Sequence, residues 1–246
     1  MYEVSDSCSP EEYLRAALEA DTPESRAEHA RAGLGAGADD LAPDTEFLLL
    51  RQLYLSELEA HRFKAAATLA RRMAHLGPLM DVARHDASRA FLALGDRDSA
   101  IAEQRLAARA APPDRRSFQW WALGALLHFS GDHHSAVSAF TRAERWAHDD
   151  RPLIRGHRAW VDLETDQPFE GLAEIVSDLA SSPRASKGYG TLVLGMISYH
   201  IGDFKRAAQY LRAFLRRNAS ADRAKELALR DELRCARTVL AEIESD

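Results

Sequence analysis

The chain is short of cysteine, of β-branched residues, of long apolar runs and of positive charge, and each shortage excludes something. Only Cys8 and Cys235 occur in 246 residues, at opposite ends. They make no disulfide framework, and no Cys-x-x-Cys or Cys/His spacing offers a structural zinc site. Val, Ile and Thr together supply 20 positions against 44 for alanine. Strong helix formers thus far outnumber the residues that strands favour. The longest uninterrupted apolar run, 120–127, is eight residues, against roughly 20 for a helix that crosses a bilayer. The formal charge of −6 at pH 7 gives no general basic footprint for nucleic acid. Met1-Tyr2-Glu3-Val4-Ser5-Asp6 is acidic, where a secretory signal is basic and then apolar. With 46% hydrophobic and 28% charged residues, the chain is not disordered. The expectation is an all-α protein of the cytoplasm without a membrane span.

Catalytic signatures are missing as well. There is no His-Glu-x-x-His, no Gly-x-Ser-x-Gly and no Gly-x-x-x-x-Gly-Lys, so zinc-protease, hydrolase and phosphate-loop chemistry find no local motif. Of the ten histidines, His128 precedes His133 by five, not the four that two ligands on one helix need. Neither catalysis, nor a cofactor, nor a metal is expected.

What the chain does contain is an internal repeat. Leu123-Gly124, Gly131-Asp132, Ala136, Phe140 and Ala143 recur in outline as Leu194-Gly195, Gly202-Asp203, Ala207, Leu211 and Phe214. An earlier copy reads Ala87-Ser88, Gly95-Asp96, Ala100, Gln104 and Ala107. Ala66, Ala100, Ala136, Leu172 and Ala207 align at one position, with separations of 34, 36, 36 and 35 residues. A period near 34 is that of a helix–turn–helix unit.

On these residues the chain resembles the tetratricopeptide repeat family, over roughly 43–219. The clearest copy, 116–148, carries Trp120, Leu123, Gly124, Leu127, Gly131, Ala136, Phe140 and Ala143. The copy at 187–219, from Lys187, carries Leu194, Gly195, Gly202, Phe204 and Ala207. Two others end on Pro78 and Pro112, and a fourth, around Trp160, Phe169, Leu172 and Leu179, reads as degenerate because Trp160 replaces the small residue. The resemblance implies an α-α superhelix of about five antiparallel hairpins. An irregular N-terminal hairpin and connector (1–42) would precede it and a capping helix (220–246) would close it. The stretch 33–40 reads as a flexible connector. Positions 222–243 read as one long helix with Leu229, Leu233, Ala236, Leu240 and Ile243 on a stripe, and the last three residues are expected to fray.

In this family the first helices of the hairpins line a groove. The resemblance therefore implies a surface formed by Phe118, Trp121, His128, Phe129, His157, Tyr189, Leu192, Met196, Tyr199 and His200. The lysine and asparagine that some members use to grip a C-terminal carboxylate are missing there. An aromatic, methionine-bearing groove suits an apolar or amphipathic helix of another protein, as in an adaptor or assembly chaperone. The competing expectation is a self-associating scaffold. Residues 1–50 hold 12 acidic and 3 basic side chains, and 205–237 hold 10 basic and 4 acidic, so oppositely charged ends could meet head to tail. Covering of the groove by the N-terminal hairpin is a third outcome left open.

Overall fold

The computed structural model describes residues 8–37, 41–77, 79–167, 170–182, 188–219 and 223–245. Pro78, Phe169, Lys187, the last three residues of the expected connector and Asp222, where the terminal helix was expected to begin, lie outside them. Fourteen helices and no strand occur among the described residues. The chain divides into two compact units, Met1–Ala110 and Ala111–Asp246.

In the first unit, α1 (Pro10–Glu19) and α2 (Pro23–Ala36) form a hairpin, followed by α3 (Pro43–Glu59) with α4 (Phe63–Ala74) and α5 (Met80–Leu94) with α6 (Arg97–Ala110). Helix starts are written locally. Ser9 and Glu12 make a reciprocal capping box on α1, and the Thr22 hydroxyl caps α2. Pro10, Pro23 and Pro43 sit in the first turns of α1, α2 and α3, where the missing N–H costs nothing. The expected connector is shorter than the sequence suggests. Residues 33–36 belong to α2, and Gly33 is buried because a Cβ there would lie 2.9 Å from Leu49. Its glycine serves a close helix–helix approach, not flexibility.

The second unit holds α7 (Pro113–His128) with α8 (His133–Trp146), α9 (Arg151–Glu164) with α10 (Leu172–Ser181), and α11 (Tyr189–His200) with α12 (Phe204–Asn218). Then come α13 (Arg223–Ala228) and α14 (Arg230–Ser245). Within each unit successive helices of the hairpins pack on one another, as an all-α superhelical arrangement requires. The expected single terminal helix is broken at Leu229 into α13 and α14. Helix α14 packs on α12 and α11 and caps the last hairpin with Leu233, Ala236 and Val239. Of the three terminal residues, Asp246 lies outside the described ones. Glu244 and Ser245 are helical, and Glu244 accepts hydrogen bonds from Arg212 at 2.7 and 3.2 Å.

The Gly-Asp pairs do two jobs. Gly95, Gly131 and Gly202 have φ of 84°, 81° and 80°, the left-handed conformation that ends a first helix. Asp96, Asp132 and Asp203 then cap the second helix, each accepting from a backbone N–H three residues on, at 3.0, 3.1 and 3.1 Å. Between the helices, a Cβ on Gly124 would lie 2.6 Å from Phe140, and one on Gly195 would lie 2.7 Å from Leu211.

The fourth hairpin corrects the reading of Trp160. A Cβ on Gly156 would lie 2.8 Å from Leu179, so Gly156 is the small residue of that hairpin. Ile175, four before Leu179 as Ala136 is four before Phe140, takes the position assigned to Leu172. The close-approach glycine is retained, but the turn is longer, α10 is shorter than the other second helices, and Ile175 stands where other copies carry alanine. Trp160 is a fully buried core residue one turn further on, in one apolar cluster with Ile175, Leu179 and Phe214. Each contributes roughly 1.5–3 kcal/mol by burial.

Candidate functional site

First helices α7, α9 and α11 pack side by side, α9 between the other two, and bring the expected groove residues onto one part of the second unit. They do not share one environment. Phe118 is 45% exposed, whereas Trp121, Phe129, Tyr189, Tyr199 and His200 are half-buried. Leu192, Met196, His128 and His157 are buried and form no open surface. For Leu192 and Met196 the reason is local. Helix α11 is apolar almost all round, buried from Leu192 to Ser198, and a helix of that kind is wrapped by neighbours. The covering element within this unit is α14. Tyr189 Oη donates to Glu232 at 3.2 Å, Tyr199 Oη donates to Glu242 at 2.9 Å, and Cys235 Sγ lies 3.9 Å from Met196 Sδ. Burial there pushes the Glu232 carboxyl up to about 7 and the Cys235 thiol up to about 12.

An aromatic platform survives at the other end of these helices. Trp121 stands edge-on to Tyr189, centroids 4.9 Å apart, and to His157 at 6.2 Å. Phe118, about one turn away on α7, lies 6.0 Å from Trp121. Trp120, expected to be core, is half-buried beneath the Arg142 guanidinium, 4.8 Å from its ring centre.

At the C-terminal ends of the first helices the structure assembles what the sequence reading set aside. His128 and Glu164 are the last residues of α7 and α9, and His133 is the first of α8. His128 Nε2 lies 2.6 Å from Glu164 Oε2, and His128 Nδ1 lies 3.1 Å from His157 Nε2. One ligand atom from each of His128, His133 and Glu164 falls within 4.8 Å of the others. The His128 hydrogen bond holds the Glu164 carboxyl below the usual carboxylate range, helped by His133 and His200 nearby. Burial keeps His157 neutral, with its pKa well below the ordinary histidine value and His128 adding to the effect. His200, the last residue of α11, is lowered chiefly by burial. Trp160 roofs the group, edge-on to His128 at 4.5 Å and stacked on His157 at 5.1 Å.

No protein-family model matches the chain, and no curated protein matches it in sequence.

The spacing of five between His128 and His133 misleads because the two residues are not on one helix. A Gly-Asp turn intervenes and folds the start of α8 back beside the end of α7. Glu164 follows His128 by 36 residues, from the end of one first helix to the end of the next. A histidine ending one first helix and a carboxylate ending the next is the signal that would have found the group. The charged ends are partly spent within the chain: Arg212 pairs with Glu244, Arg206 with Asp203, Arg234 with Asp231, and Glu46 with Arg72.

Proposed function

We propose that this chain is a tetratricopeptide-type protein-binding module of the cytoplasm, an adaptor or assembly chaperone that takes an apolar or amphipathic helix of another protein on the Phe118–Trp121 face. The observation that carries this reading is the platform itself. Phe118 is solvent-exposed, while Trp121 beneath it is braced by Tyr189 and His157 from the next two first helices. A braced aromatic surface gives up little side-chain entropy when a partner lands on it, and aromatic anchors dominate interface energies. Two free cysteines fit a reducing compartment. The self-associating scaffold is less well supported, because intrachain pairs already engage several of the charges it would use.

The test is a selection of helical peptides from a randomised display library on the full chain, followed by affinity measurements on Phe118→Ser. Loss of this anchor is expected to cost about 2 kcal/mol, roughly thirtyfold in Kd. The thermal midpoint should be unchanged, since substitutions at exposed sites usually stay within about 0.5 kcal/mol. Selected peptides that bind Phe118→Ser as tightly as the parent would refute this face as the binding surface.

A further inference from the structure

We propose that His128, His133 and Glu164 form a binding site for one divalent transition-metal ion of the zinc type. The three come from two successive hairpins, and one ligand atom from each lies within 4.8 Å of the other two. Two imidazoles and a carboxylate are the donors that zinc-like ions prefer, whereas calcium and magnesium favour all-oxygen shells. The closest pair, His128 Nε2 and Glu164 Oε2 at 2.6 Å, needs to open by less than 1 Å to reach the spacing of about 3.3 Å that two ligands take on a tetrahedral zinc.

Three further features favour an ion over an ordinary histidine–carboxylate contact. His133 Nδ1 is buried and has no hydrogen-bond partner, which is costly for a polar ring atom unless something else satisfies it. Metal-bound histidines hold their second nitrogen in a hydrogen bond that fixes the ring, and His128 Nδ1 has such a partner in His157 Nε2 at 3.1 Å. Two helices, α7 and α9, end on the site with His128 and Glu164, directing the negative ends of their dipoles at a cation, against one positive end from α8. Phe129, stacked on His128 at 5.2 Å, and Trp160 supply an apolar wall. Glu164 is exposed, which leaves an entry path. Three protein ligands leave a tetrahedral ion one position for water or a group from outside. The bound ion would also cross-link the α7–α8 hairpin to α9.

The full chain, without an affinity tag and stripped by chelator, is titrated with Zn²⁺ by calorimetry and with Co²⁺ by visible absorption. The expected result is one equivalent bound, quenching of tryptophan emission by Co²⁺ through Trp160, and a rise in thermal midpoint with free Zn²⁺. His133→Gln and Glu164→Gln should each weaken binding by about tenfold or more, and His134→Gln, next in sequence but exposed, should not. Imidazole NMR signals of the unmodified chain give a readout independent of variant folding: those of His128 and His133 should move at one equivalent while that of His134 stays. No saturable binding of either ion, or binding that His134→Gln weakens as much as His133→Gln, would overturn the assignment.

Discussion

At the scale of single residues, Glu232 shows how burial converts a surface-type side chain into a pH-dependent element. Burial beneath α11 raises its carboxyl to about 7, against the lowering effect of the Tyr189 hydroxyl and its own backbone N–H. In the unfolded chain the same carboxyl titrates near 4.3. The folded state therefore holds the proton over the window between, and its contribution is fully present below pH about 4.3 and lost as pH rises through about 7. The full difference corresponds to a loss of about 4 kcal/mol, of which about 2–3 kcal/mol falls between pH 5 and pH 8. Glu232→Gln retains an oxygen to accept from Tyr189 and removes the charge. Chemical unfolding at pH 5 and pH 8 should show the parent losing stability relative to Glu232→Gln by about 2–3 kcal/mol. Equal losses in both would mean that Glu232 is solvated in solution. The same burial makes Cys235 an inert thiol, in contrast to the exposed Cys8.

At the scale of elements, the hairpin is the unit, and its closest approach runs through one glycine. Gly124, Gly156 and Gly195 face Phe140, Leu179 and Leu211 at distances no Cβ tolerates. Gly124→Leu forces an added side chain against the Phe140 ring, and overpacking of this kind typically costs about 1–3 kcal/mol. Because a repeat array is stabilised by neighbouring interfaces, the loss should broaden or split the unfolding transition rather than shift it intact. A calorimetric melt of Gly124→Leu that superimposes on the parent's would mean that α7 and α8 do not meet at this contact.

This scale also shows what was legible beforehand. Turn chemistry is written in adjacent residues, so Gly95-Asp96, Gly131-Asp132 and Gly202-Asp203 announced three hairpins. The fourth was misread because its turn is longer, which moved Leu172 into the place of Ile175 and hid Gly156 behind Trp160. The break at Leu229 was invisible because the apolar stripe continues through it.

At the scale of the molecule, the all-helical fold was foreseeable from composition and periodicity, whereas its division into two compact units and its surface were not. Periodicity says which residues share a helix face. It does not say which later helix will cover that face, and α14 buries Leu192 and Met196 beneath residues more than 30 positions away. The histidine group was hidden for a related reason: its members are the end of α7, the start of α8 and the end of α9, so only the packed hairpins bring them together. What stays open is the Phe118–Trp121 face, and the functional reading stands on it. The most direct measurement uses the four tryptophans, Trp120, Trp121, Trp146 and Trp160, as built-in reporters. Indole N–H signals, assigned by Trp→Phe substitution, are followed while a display-selected amphipathic helix is added. The account predicts that the Trp121 signal shifts in proportion to bound peptide and that of the buried Trp160 does not. A peptide that saturates the chain while the Trp121 signal stays in place would contradict it.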